Sequence, residues 1–361
     1  MSLNKSTCFI SAVFILSMLL TGCGLLGGEE KKQMDPPQEV TYEDKGTIDT
    51  KETTKVTEST KKQSAKEKEE ANTTVMTELY LLDKEGYVVP QTIALPKTAG
   101  IAKQAIEHLV INGPVSEMLP NGFQAVIPAD TQVSVDIKDG VAVVDFSKEF
   151  ANYKKDQELK ILQAITWTLT QFDSVNSVKI QMNGKQLNEM PVNGTPISDK
   201  QNRATGINID AKDVVDLANT KAVTVYFVGG EAGDYYYVPV TRRVDNKEKD
   251  NIKAAIEELV KGPSYTTNLL SEFDAGVALL DDPKIENGKV TLNFNEAIFG
   301  SFKEKIISDH LLNALVLTLT EQKGIESVAV KVKGKAELVT EKGEKLSEPV
   351  TRPENVNTGS F

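Results

Sequence analysis

Cysteine is confined to Cys8 and Cys23, and every residue after position 23 is free of thiols. That excludes a disulfide framework, a cysteine nucleophile and a thiolate metal site from the body of the chain, so whatever folds there holds together by burial. Histidine occurs only as His108 and His310, which leaves little for imidazole acid/base or metal chemistry. Aromatic residues make up 6% of the chain, and Trp167 is the only tryptophan. Positive charge is in deficit: Lys and Arg number 41 against 52 Asp and Glu, for a net charge of −11. Nucleic-acid binding depends on phosphate neutralisation by Lys and Arg, so this balance argues against it. No Gly-rich phosphate loop is present, since Gly27-Gly28 lies in a polar stretch and Gly229-Gly230 reads as a turn.

What is there begins at the N-terminus. Met1 to Lys5 carries a single basic side chain, and Cys8 to Leu20 is apolar except for two serines. Leu20-Thr21-Gly22-Cys23 then turns small and polar. That order is the n-region, h-region and cleavage site of a secretory signal. The run is shorter than the roughly 20 residues a spanning helix needs. Small residues abutting a Cys resemble a bacterial lipobox, whose Cys takes acyl chains such as palmitate as the first residue of the mature chain. Against an ordinary secretory signal or an uncleaved anchor, this assigns residues 1–22 as a lipoprotein signal peptide and Cys23 as the lipidation site. Each buried CH₂ contributes about 0.8 kcal/mol, so two or three acyl chains hold a protein on a membrane almost permanently.

Residues 23–72 read as a disordered charged tether. Glu29-Glu30-Lys31-Lys32, Pro36-Pro37 and Thr/Lys/Glu repeats isolate the few apolar side chains, with no helical or strand period. Such a segment buries too little to offset its ordering entropy. As a flexible coil it reaches on the order of 35–40 Å; Lys/Glu alternation is also compatible with a solvated single helix.

The remainder is a duplication with an offset of about 150 residues. Ala105-Ile106-Glu107-His108-Leu109-Val110 returns as Ala255-Ile256-Glu257-Glu258-Leu259-Val260, each followed by Gly-Pro (Gly113-Pro114, Gly262-Pro263). Thr168-Leu169-Thr170 returns as Thr318-Leu319-Thr320, Ser177-Val178 as Ser327-Val328, and Gly184-Lys185 as Gly334-Lys335. In each copy β-rich segments (Met76 to Leu82 with Tyr87 to Pro90; Val223 to Val228 with Tyr235 to Val240) precede an amphipathic helix that Gly-Pro stops. A hairpin follows, turning at Asp139-Gly140 and at Asn287-Gly288, residues that accept positive φ. A longer apolar helix (about Glu158 to Thr170, Ser308 to Glu321) and a strand (Ser177 to Met182, Ser327 to Val332) close the unit. The fold class is therefore α+β: tandem duplicated two-layer sandwiches, each with a helix-strand-strand-helix-strand core plus an extra β element. Residues 73–199 form the first repeat and 221–340 the second, with a linker at 200–220 and a C-terminal tail at 341–361.

No residue qualifies as catalytic, and no cofactor or metal is implied. His108 lies beside the apolar face of a helix, and its counterpart is Glu258. His310 follows Asp309 at a helix start, where an acid complements the dipole, and its counterpart is Lys160. Paired carboxylates for glycoside work need about 5–10 Å between them, yet Asp145 matches Asn293 in the second copy, and Asp281-Asp282 stands before Pro283 as a turn. Trp167, replaced by Leu317, reads as core filling. The Thr-Leu-Thr pair reads as close packing of helix on sheet ahead of a shared binding face. In Tyr235-Tyr236-Tyr237 alternate side chains take opposite faces, which makes the three candidate interface contacts, with edge-strand filling as the competing reading.

A lipobox, a charged spacer and two copies of A-I-E-x-L-V, Gly-Pro, hairpin and T-L-T helix resemble the GerMN-domain family of sporulation and germination lipoproteins, over essentially the whole mature chain except the spacer and the last residues. The resemblance implies units similar to ring-building motifs, in a membrane-anchored, non-enzymatic assembly factor of spore formation. It places the protein outside the cell membrane, in the space between mother-cell and forespore membranes, with partners in a ring or channel complex there. A peptidoglycan (spore cortex) binding or processing role is the alternative. Cys23→Ala is expected to abolish incorporation of radiolabelled palmitate and to release the chain into a soluble or unprocessed form; a variant still processed and membrane-bound would refute the lipobox assignment.

Overall fold

The computed structural model describes residues 73–358 apart from 121, 213–216, 232, 301–304 and 337. The signal peptide and tether assignments, and Cys23 with them, lie outside the described residues. Both repeats fall within one compact unit.

Each repeat opens on a long antiparallel hairpin: β1 (Thr74–Leu82) with β2 (Val88–Pro96), and β7 (Thr220–Glu231) with β8 (Asp234–Asp245). A helix follows, α1 (Ile101–Glu107) or α3 (Asn251–Lys261). Asp250 caps α3 by accepting the amides of Ile252 and Lys253, whereas α1 starts after Gly100 without a side-chain cap and is shorter. The small sheet of the first repeat runs β3 (Val133–Lys138), β4 (Val141–Phe146), β5 (Ser177–Met182), β6 (Lys185–Gln186), neighbours in that order. β3 and β4 pair antiparallel, and β4 and β5 pair in parallel through the crossover helix α2 (Glu158–Leu169). The second repeat repeats this with β9 (Lys284–Glu286), β10 (Lys289–Phe294), α4 (Asp309–Thr320) and β12 (Ser327–Val332), adding the short β11 (Ile306–Ile307), β13 (Val339–Thr340) and β14 (Val350–Thr351).

The anticipated hairpin turns form because Asp139 and Asn287 take φ of 52° and 50°, each followed by a glycine that also has positive φ. On β4 and β10 the buried residues alternate (Ala142, Val144, Phe146; Val290, Leu292, Phe294), so each sheet turns one face to its crossover helix. The other side of that helix meets the long hairpin: Trp167, Leu169, Leu315 and Leu319 are fully buried, as are Leu79 and Tyr80 of β1. The core is therefore layered as hairpin, helix, sheet in each repeat.

The start of the crossover helix differs between copies. In the second, Ser308 caps α4 through the Leu311 amide. In the first, the buried Glu158 side chain accepts hydrogen bonds from the amides of Val192, Asn193 and Thr195, the Thr195 hydroxyl and the Tyr153 hydroxyl. Burial opposes the charge, but these donors outweigh it and hold the carboxyl at about 2. A depressed folded-state pKa contributes stability above the unfolded value near 4.5 that is lost as pH falls toward 2. Over that window the loss amounts to about 3 kcal/mol. Denaturant unfolding between pH 5 and pH 2 should show it, and Glu158→Gln should lose a similar amount at neutral pH while flattening this part of the pH profile.

Candidate functional site: the seam between the repeats

β2 and β8 present their outer edges to each other. On β2 the outward residues are Val88, Pro90 and Thr92; on β8 they are Tyr237, Pro239 and Thr241, because Pro90 and Pro239 sit opposite Tyr80 and Tyr226 in pairs whose amides point away from the partner strand. Those amides go to the crossover helices: Tyr80 N–H donates to Thr168 Oγ1 at 3.0 Å and Tyr226 N–H to Thr318 Oγ1 at 2.9 Å. The first threonine of each Thr-Leu-Thr thus ties helix to hairpin, and the second bonds one turn back, to Thr166 or Val316.

A proline cannot donate, so the two edges cannot join into one continuous ladder at Pro90 and Pro239. Two asparagines fill the gap. Asn208 accepts the Val88 amide (2.9 Å) and donates to the carbonyls of Val88 and Pro239 (2.8 Å each). Asn357 accepts the Tyr237 amide (2.8 Å) and donates to the carbonyls of Tyr237 (2.9 Å) and Pro90 (2.8 Å). Both take left-handed backbone, φ 45° and 55°, a conformation Asn tolerates. The residue before each bonds to the other repeat: Ile207 exchanges hydrogen bonds with Thr241, and Val356 with Thr92. Gly206, at φ 92°, takes a conformation that other residues rarely adopt, and a Cβ there would press on Thr241 and Ile209 at 3.1–3.2 Å.

Arg203 and Arg352, at matching places in these two straps, close the seam. Arg203 Nη1 donates to both Glu321 oxygens at 2.8 and 2.9 Å, while its guanidinium lies 4.5 Å from the Trp167 ring centroid. Arg352 reaches Glu78 at 3.4 Å and Glu321 at 3.8 Å. The Tyr80 and Tyr226 hydroxyls donate to Glu78 and Glu321 at 3.1 and 3.2 Å. The Glu321 side chain is 8% exposed; burial works against its charge, but Arg203 and Arg352 prevail and keep its pKa below the ordinary carboxylate range. Two cations and two carboxylates from both repeats form a neutral cluster.

These residues correct the sequence reading of 200–220 as a linker and 341–361 as a tail. Arg203 to Asn208 and Arg352 to Asn357 are packed straps, and a signal was available: R-x-x-x-[I/V]-N recurs at the repeat offset. The tyrosine expectation also shifts. Tyr236 is 4% exposed, donates to Asp83 Oδ2 at 2.9 Å and packs edge-on against Phe123, so it serves the contact between repeats. Tyr237 bonds to Asn313 (3.1 Å) and lies 3.3 Å from His310 Nδ1. Tyr235, 38% exposed, rests on the His310 ring and is the most open of the three.

The residues weighed for chemistry are scattered. His108 is buried, with Nδ1 2.7 Å from the Gln104 carbonyl. Asp145 accepts the Gly184 amide, and its counterpart Asn293 accepts the Gly334 amide, so both brace the same turn. Asp281 accepts from Asn293. Among the described residues no His, Cys, Asp and Glu side chains cluster as metal ligands, and no helix is long and apolar enough to cross a membrane.

The architecture defines a tandem of interlocked α+β repeats. Two stretches, residues 78–188 and 224–337, match the Germane family, described as sporulation and spore germination, and the chain belongs to that family. It is 56% identical over 365 residues to the spore germination protein GerM of Bacillus subtilis (strain 168), covering 99% of this chain and 100% of that protein. The solved tandem GerMN domains of the sporulation protein GerM from Bacillus subtilis superpose with a TM-score of 0.76 at 59% identity, over 80% of this chain and 100% of that one.

Arg203→Ala should leave the Glu321 carboxylate with only the more distant Arg352 and the Tyr226 hydroxyl, and lower the stability of the two-repeat segment by about 3 kcal/mol. The double variant Arg203→Ala/Glu321→Leu should lose less than the sum of the single losses in urea unfolding, which is the signature of direct coupling.

Proposed function

We propose that the protein is a lipid-anchored, non-enzymatic scaffold of sporulation and spore germination, whose two-repeat head recruits or stabilises a ring or channel complex between mother cell and forespore. Family membership supplies the biological setting. The observation that carries the scaffold reading is the seam: paired asparagines, reciprocal straps and a neutral Arg–Glu cluster join two similar units into one compact body. Each unit keeps a sheet whose first strand, β3 or β9, ends the ladder among the described residues. Unpaired backbone groups on such an edge can accept a strand from a partner. Differences between the copies, such as Tyr235 over His310 in place of Gly86 beside Lys160, let the two units engage different surfaces.

Because the straps couple the repeats, deleting either one would unmask the seam of the other. Point placement of a photo-crosslinker is therefore the better test. Incorporated at Tyr235 and at Ile285 in sporulating cells, it is expected to yield adducts with envelope proteins, specific to position. Recovery of glycan strands alone would favour the peptidoglycan reading, and adducts independent of position would defeat the scaffold reading.

A further inference from the structure

An apolar residue on an open sheet edge is a hazard that proteins usually suppress. Here both repeats carry one, at matching places: Ile137 on β3, 38% exposed, and Ile285 on β9, 54% exposed. Each is flanked by opposite charges, Asp136 and Lys138 around the first, Lys284 and Glu286 around the second. Neither Asp136 nor Lys138 has an ion-pair partner among the described residues. β3 ends its sheet, with β4 on its one paired side.

We propose that β3 pairs antiparallel with β3 of a second copy of this chain, about a two-fold axis through Ile137. In that register Ile137 faces Ile137, and each Asp136 stands opposite the other copy's Lys138, so both charges are neutralised and the exposed isoleucine is covered. Directly opposed charges of unlike sign favour strand pairing and like charges oppose it. The same rule decides which partner is refused. An antiparallel docking of β3 on β9 would oppose Asp136 to Glu286 and Lys138 to Lys284, like against like on both sides. The charge order is reversed between the copies, so the β3 edge suits itself and rejects β9. The β9 edge also begins directly after Pro283, a residue that blunts an edge. Association through one isologous edge closes at a dimer and does not run on into fibres. This inference goes beyond the scaffold reading and is independent of it: self-pairing is read on purified protein, partner recruitment in cells.

The test uses residues 73–358, since the corresponding tandem domains of the relative form a separately solved structure. Sedimentation equilibrium at low salt should show a concentration-dependent monomer–dimer equilibrium that weakens as salt is added. Asp136→Lys alone and Lys138→Asp alone should each weaken association at least tenfold, with thermal unfolding unchanged because both side chains are exposed. The two single variants mixed should associate with each other, because one edge then carries two cations and the other two anions. The double variant Asp136→Lys/Lys138→Asp, in which the charge order is merely exchanged, should recover self-association. A monomer at every concentration, or a dimer indifferent to the single charge reversals, would overturn the proposal.

Discussion

Pro90 and Pro239 bring no amide hydrogen to the strand edges they occupy, and each edge faces the other repeat. Two hairpins so placed would otherwise zip into one four-stranded sheet, or leave carbonyls without partners at the centre of the molecule. An unpaired buried backbone group costs about as much as a lost hydrogen bond, so the gap has to be filled. Asn208 and Asn357 fill it from opposite ends, and the carboxamide suits the task because it both accepts and donates. The placement of the straps, the partners available to Arg203 and Arg352, and the orientation of one repeat against the other all follow from this substitution of side chain for strand.

The seam is nearly symmetric, and its departures from symmetry are instructive. Where the first repeat has Gln171, which accepts the Glu78 amide and donates back to its carbonyl, the second has Glu321, which takes the arginines. One amide and one carboxylate at matching positions let a single acidic centre serve both guanidiniums, with Glu78 as the second anion. Two acids at those places and no further cation would leave an excess of buried negative charge, which is expensive in a low-dielectric interior. The duplication has therefore been adjusted chemically where the copies meet.

Much of each repeat was legible because it depends on local chemistry. Asp-Gly and Asn-Gly announced the hairpins, alternation of Val133, Val135 and Ile137 and of Val290, Leu292 and Phe294 put apolar side chains on one side of each hairpin, and the strands at Ser177–Met182 and Ser327–Val332 have the expected bounds. The long hairpins extend beyond the bounds read from the sequence, β2 past Pro90 and β8 past Val240. The seam was missed for a different reason. Arg203, Asn208, Arg352 and Asn357 sit in polar, irregular stretches with no hydrophobic period, and their partners are far away in sequence. Only the recurrence of the spacing marked them, and the meaning of that spacing is tertiary. Tyr236, weighed with its neighbours as an interface contact, meets a surface of its own chain.

The strap of the second repeat binds the first. Val356 pairs with Thr92 across a separation of 264 residues, and Asn357 completes the hydrogen bonding of Pro90. A chain that emerges N-terminus first thus presents its first repeat early yet with one edge unfinished, and the piece that finishes it is among the last to arrive. Contacts of such long sequence separation are slow to form. The second repeat meets no such delay, since the strap it receives, Arg203 to Asn208, precedes it. Order of synthesis and order of completion are therefore inverted: the unit made first is sealed last, and until then the open edge of β2 is the part of the molecule most exposed to mispairing.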